Sequence, residues 1–294
     1  MGVPRSNSAR RSWSVVVAAG ATIALLALRR PAAAADSAAT ASADSAAFAT
    51  RAHTAAHATW SDVTTLLSSP ARMKRSDALW TAGLAAATVI VLSEDQAIRD
   101  AALRSRGNGF YDGVVDIGET LEPWVRAQNL LAFWAAGAAV SAVIPGGGVR
   151  GFFLDGLESH LFNVAAVGVT KVVTGREGPK SGDPHRFFEG GDSFPSAHTS
   201  GAFELATFVT GRLAARPAVY RVPIAAAAYG LAGCVGVQRV DSNEHWPSDV
   251  VAGAICGTLM THYVVGRNDA RRAALTPVMG ANGTPVGMTL AWRF

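Results

Sequence analysis

Three polar clusters interrupt an otherwise apolar chain: Lys171 to Pro179, Phe194-Pro-Ser-Ala-His-Thr199, and Arg239 to Asp249. Together they hold the residue types that phosphoryl transfer requires. Cations and backbone N–H groups must hold the nonbridging oxygens, a nucleophile must stand in line, and an acid must protonate the leaving oxygen. Lys171, Arg176 and Arg239 bring full positive charges. Pro195 and Pro247 read as helix starts beside His198 and His245, so two helix N-termini are expected to turn their dipoles and unpaired N–H groups toward one anion.

His245 precedes Asp249 by four residues at the opening of a helix, within reach of a hydrogen bond from one imidazole nitrogen to the carboxylate. The other nitrogen is then free to attack phosphorus. The neighbouring Asp241, Asn243 and Glu244 lack the spacing of a calcium loop and read as surface polar residues. Cys234 and Cys256 sit in apolar runs with no CxxC or Cys/His cluster, so buried free thiols are expected, with no bound metal and no cofactor.

These clusters resemble the signature of the type 2 phosphatidic acid phosphatase and vanadium haloperoxidase superfamily, in its bacterial phosphatase branch. The family pattern runs Lys-x6-Arg-Pro, then Pro-Ser-Gly-His, then Ser-Arg-x5-His-x3-Asp. Lys171 and Pro179, the run Pro195-Ser196-Ala197-His198, and Arg239 with His245 and Asp249 stand at the matching positions. The resemblance implies that Lys171 and Arg239 bind phosphate and that Ser196, with the backbone around Ala197, steadies it. It also implies that His198 is the acid, His245 the nucleophile and Asp249 its orienter.

Three positions depart from the pattern: Gly178 replaces the first motif's Arg, Ala197 the second motif's Gly, and Gln238 the Ser before Arg239. Gly178 removes a phosphate-binding cation unless Arg176 or Arg186 reaches the same place, and Arg176 is expected to do so. The implied activity is hydrolysis of a phosphomonoester or diphosphate, of a lipid or another phosphorylated small molecule, through a phosphohistidine. The same site could instead hold vanadate for haloperoxidase chemistry, or belong to a catalytically weakened membrane- or lipid-binding relative.

Six apolar segments of helical length must position these clusters: Ala78 to Leu92, Trp124 to Ile144, Phe152 to Val173, Ser196 to Ala214, Val222 to Val237 and Pro247 to Val265. An all-α bundle of about six helices over residues 71–270 follows, with Pro145-Gly-Gly-Gly148 ending the second segment and Pro217 and Pro223 separating the fourth from the fifth. In the tail, 271–294, Ala281-Asn-Gly283 marks a turn before the alternating Met288, Leu290, Trp292 and Phe294, which predicts a short β-hairpin.

Ahead of the bundle, Arg5, Arg10 and Arg11 precede the apolar run Trp13 to Leu28, and Pro31-Ala-Ala-Ala-Ala-Asp36 offers small residues for cleavage. Residues 1–35 therefore read as an export signal, with an uncleaved anchor as the alternative, and 36–70 as an Ala/Ser/Thr-rich linker. Of the 294 residues 49% are hydrophobic and only 16% charged, which points to long buried or lipid-facing helices. The Lys and Arg residues are scattered without interleaved aromatics, which excludes a nucleic-acid footprint.

If all six segments span, the catalytic connections share one face while Arg72, Lys74, Arg75, Arg150, Arg212, Arg216, Arg221, Arg267, Arg271 and Arg272 crowd the other. That distribution predicts an inner-membrane protein with a periplasmic site. A cleaved signal followed by six crossings would place the site inside, so one segment does not cross, or none do and the protein is soluble in the periplasm.

Overall fold

A computed structural model describes residues 61, 64–65, 68, 75–144, 148–274, 277–279 and 285–288. The expected export signal, most of the linker, the Pro145-Gly-Gly stop, the Ala281-Asn-Gly283 turn, and Leu290, Trp292 and Phe294 lie outside them. The described residues fall into two units, one ending at Ala87 and one from Thr88 onward.

Eight helices of eight or more residues are present between residues 75 and 274, and the fold is all-α. Each of the six apolar segments is a helix: α1 (Arg75–Ser93), α4 (Ala127–Ser141), α5 (Gly148–Thr174), α6 (Ala197–Arg212), α7 (Ala218–Asp241) and α8 (Pro247–Ala274). Two more are not among those segments: α2 (Asp95–Arg104), which is short and polar, and α3 (Gly109–Leu121), whose apolar residues are interrupted by Asp112, Asp116 and Glu119; a 3-10 turn, Glu122–Val125, joins α3 to α4. Asn108 caps α3 by accepting from the Phe110 and Tyr111 amides at 3.0 and 3.3 Å. Pro217 is the residue before α7, but Pro223 lies inside that helix instead of between helices. Beyond α8, β1 (Pro277–Met279) pairs antiparallel with β2 (Pro285–Met288).

The central element is α6, which packs on α5, α7 and α8. One core layer joins Leu130, Leu131 and Trp134 of α4 to Leu157, Phe208 and Val265, with the Trp134 and Phe208 rings edge-on at 4.8 Å. A second joins Val125, Ala202, Ala206, Ala232 and Val235. α8 reaches α6 backbone to backbone because Gly253 and Gly257 face it: a Cβ at either would sit inside contact distance of the Ser196 or Ser200 carbonyl oxygen. The approach seats the start of α8 against the start of α6, the two helix ends that carry the second and third polar clusters. Gly257→Ala is expected to destabilise the protein by about 1–3 kcal/mol, because both partners are backbone and cannot rotate away. A thermal melt of the purified variant checks this.

Two helices among the described residues are long and apolar enough to cross a membrane, Ala218–Asp241 and Pro247–Arg271, or three if the bent pair Ala78–Ser93 and Asp95–Arg104 counts as one. Among the described residues the case in which all six segments span is therefore not met by length and composition. α4 has only 15 residues, and α5 carries Asp155, Glu158, His160 and Lys171 along its length.

Candidate active site

The three clusters meet where α5 ends, α6 and α8 begin and α7 ends. Between α5 and α6 the chain folds back on itself: Phe188 N–H donates to Thr174 O at 2.7 Å, Ser193 N–H to Arg176 O at 2.9 Å, and Thr174 Oγ1 to Phe194 O at 3.1 Å. Trp246 Nε1 donates to Glu177 O at 3.1 Å and ties this loop to the one carrying His245.

His245 Nδ1 faces Asp249 Oδ2 at 3.6 Å, too long for a direct hydrogen bond. Ser193 fills the gap, its Oγ lying 3.4 Å from Nδ1 and donating to the same carboxylate oxygen. Asp249 is fully buried and is held twice more, by the Trp246 amide at 2.9 Å and by the Arg176 guanidinium. Among the described residues no hydrogen-bond partner takes His245 Nε2. Burial, and the cations Lys171 and Arg239, hold the His245 imidazole below its ordinary pKa against the pull of Asp249. The ring is therefore neutral at pH 7, the state a nucleophile needs.

His198 opens α6, where Ser196 is the N-cap. Its Nε2 lies 2.9 Å from Glu122 Oε1, in the turn after α3. Arg239 Nη1 stands 3.5 Å from the same oxygen, and Arg126 donates to Glu122 at 2.9 Å. Burial and the Arg239 charge push His198 down to about 4, with Glu122 acting the other way. Lys171, nearly buried, donates to Asp192 O, and Arg239 Nε is buried without a partner among the described residues. Lys171, His198, Arg239, His245 and Asp249 are thus brought together.

Arg176 is not where the sequence reading put it. Its guanidinium is fully buried and donates to Asp249, to Ser248 Oγ at 2.7 Å, to Asp95 Oδ2 at 2.6 Å, and twice to Pro184 O. These bonds use all five donors, so none remains for a phosphate oxygen. The ring of Phe187 covers it at 4.8 Å. Arg186, the other substitute considered, is half-exposed and faces Glu189 at 3.8 Å.

The two helix N-termini also differ from expectation. At α8 the Ser248 amide donates to Asp95 Oδ1 at 2.7 Å and the Trp246 amide to Asp249, so protein carboxylates already cap this end. At α6 the fully buried Ser196 Oγ accepts from Thr199 N at 3.4 Å and Thr199 Oγ1 at 3.0 Å, which makes its visible role the cap that sets His198 and Ala197 at the helix start. Gly178 has φ −81° and ψ 176°, extended backbone open to any residue, so glycine's extra freedom is not used there. A side chain at 178 would start 3.4 Å from Glu244 O and 3.6 Å from Ser193 Oγ, beside the His245 loop.

Asp95, Glu122, Ser193 and Ser248 are site residues that motif reasoning passed over. The only sequence signal was an acid in polar surroundings at a helix boundary, in Ser93-Glu94-Asp95 and Glu122-Pro123, and such acids are common at helix starts. Cys234 and Cys256 are free and partly buried.

The PAP2 superfamily pattern matches residues 154–272. A lipid A 1-phosphatase of Porphyromonas gingivalis is 29% identical over 177 residues, covering 60% of this chain and 35% of that protein, so the chain spans about a third of its curated relative. A transmembrane PAP2-type phosphatidylglycerolphosphate phosphatase from Bacillus subtilis aligns with a TM-score of 0.46 at 21% identity, over 64% of this chain and 96% of that one.

Proposed function

We propose that this chain, whose residues 154–272 match the PAP2 superfamily pattern, is a phosphatase of that superfamily that hydrolyses a phosphomonoester or diphosphate of a lipid, without a metal, through a phosphohistidine on His245. The observation that carries this reading is the pairing of two histidines on separate elements, His198 and His245, with Lys171 and Arg239 beside them and Asp249 buried behind the second.

Nε2 of His245 attacks phosphorus as the bond to the leaving oxygen breaks, and His198 gives that oxygen a proton. Water then attacks the phosphohistidine and passes a proton to His198, which breaks the P–N bond, releases phosphate and restores both rings. Lys171 and Arg239 balance the charge on the nonbridging oxygens. A bound dianion next to Arg239 offsets the cation that depresses His198 most, so its acid form gains population when substrate is present.

A lipid substrate is supported by the likeness to the lipid A 1-phosphatase of Porphyromonas gingivalis and by exposed apolar residues next to site residues in the chain. Trp124 is 73% exposed and lies two residues after Glu122, Val172 is 85% exposed and follows Lys171, and Phe188 is 82% exposed in the loop between α5 and α6. Membrane insertion through α7 and α8 puts the site at one end of both helices, while Arg216, Arg221, Arg267 and Arg271 stand at the other. Positive residues favour the cytoplasm, so the site faces the periplasm.

Phosphate release from a lipid phosphate in mixed micelles tests the activity. Gly178→Arg adds a first-motif cation where the backbone accepts one and beside the His245 loop. It is expected to leave turnover equal or better and to lower KM; a raised KM would show that the side chain cannot reach the anion.

A further inference from the structure

Glu122 belongs to none of the three motifs, yet no other carboxylate approaches His198 within ion-pair distance among the described residues. The short turn that carries it is fastened on three sides. Gly201 of α6 lies so close to the turn that a Cβ there would collide with Val125 O. His160 Nε2 donates to Ala127 O at 2.9 Å, just past the turn, and is itself anchored by Glu204 through Nδ1 at 3.0 Å. Arg126 grips Glu122 directly, with Nε 3.1 Å and Nη2 2.9 Å from Oε2. Nε also reaches Oε1 at 3.2 Å, and the same Oε1 lies 2.9 Å from His198 Nε2 and 3.5 Å from Arg239 Nη1, so the Arg126 fork fixes the carboxylate that faces His198.

We propose that Glu122 is the positioning residue of the proton donor: its carboxylate holds the His198 ring at the start of α6 and stabilises the imidazolium that protonates the leaving group. His198 would then have a carboxylate partner as His245 has Asp249, one supplied by the turn after α3 and the other by α8. This inference rests on the phosphatase reading above.

The groups facing His198 are Glu122 from the turn, Arg126 from the start of α4, Arg239 from α7 and His245 from the loop before α8. Of these only Glu122 favours the charged ring; the two arginines and His245 oppose it. Removing the carboxylate therefore lowers the His198 pKa further, and the acid form is lost at lower pH.

The test compares two esters in one preparation of Glu122→Gln: an alkyl phosphate, whose leaving alkoxide needs a proton, and dinitrophenyl phosphate, whose phenolate does not. General acid catalysis is typically worth about 10²–10⁴-fold, and Glu122 supports a part of it. We expect kcat/KM, which reports the steps through leaving-group release, to fall about tenfold or more on the alkyl ester and no more than about threefold on the dinitrophenyl ester. The basic limb of the alkyl-ester profile should move to lower pH. Glu122→Asp, which keeps the charge on a shorter arm, should recover part of the loss.

A general loss of folded enzyme would scale both esters equally, so the ratio reads the role even in a partly damaged preparation. Equal losses on both esters, or no loss on either, would overturn the assignment while leaving the phosphatase reading in place. Wild-type protein that cleaves neither ester would overturn both.

Discussion

His245→Ala is expected to bring turnover to the uncatalysed background, and His198→Ala to lower kcat on an alkyl phosphate by about 10²–10⁴-fold. The difference follows from their places in the site. In the proposed mechanism His245 forms the covalent bond, and among the described residues its neighbour Ser193 has its hydroxyl proton directed at Asp249 instead of at a substrate. His198 supplies a proton, so its loss leaves a site that still binds and attacks but expels an unprotonated leaving group. Replacing the alkyl ester by dinitrophenyl phosphate should therefore restore the phenolate-releasing first step of His198→Ala, read as a burst, while the water step that also uses His198 stays slow, and leave His245→Ala dead. Rapid-quench assays with both esters distinguish the two variants, and near-normal turnover in His245→Ala would end the mechanism.

Arg176→Ala carries the second large effect, and its character is the reverse of what the sequence suggested. A cation lining the anion site would cost binding when removed, and KM would rise. A buried guanidinium with every donor committed instead holds Asp95 and Asp249 together and steadies Ser248 at the start of α8. Its removal leaves two buried carboxylates without their common partner, and losing one side of a buried ion pair costs about 3–5 kcal/mol. We expect a fall of that size in unfolding free energy, followed by denaturant titration in detergent, with a drop in kcat because Asp249 no longer faces Ser193 and His245 in fixed geometry. Arg176→Lys should recover little, since an ammonium cannot span Pro184 O, Asp95 and Asp249 at once. A stable Arg176→Ala protein with only a raised KM would return the residue to the phosphate.

What the sequence made legible here was local. His245 and Asp249 are four apart on one helix start, and Pro195 and Pro247 announce α6 and α8, so those positions could be read from spacing alone. The six apolar stretches became helices because apolar length is itself the signal. α2 and α3 had no such mark, and with them Asp95 and Glu122 went unseen. Their partners lie far along the chain, with Asp95 81 residues from Arg176. Spacing carries no information about which buried carboxylate a distant guanidinium will meet; only the packing of α2 and the α3 turn against the clusters decides it. Arg176 was misplaced for the same reason: its charge was visible, but the pocket that claims it is assembled from three separate parts of the chain.

One measurement tests the proposed phosphatase most directly: release of inorganic phosphate from a lipid phosphate by the purified protein in excess EDTA, alongside His245→Ala. Steady turnover by the wild type that EDTA leaves unchanged, and none by the variant, is the expected result. Wild-type activity lost to EDTA and restored by a divalent metal, or equal rates for the two proteins, would contradict it.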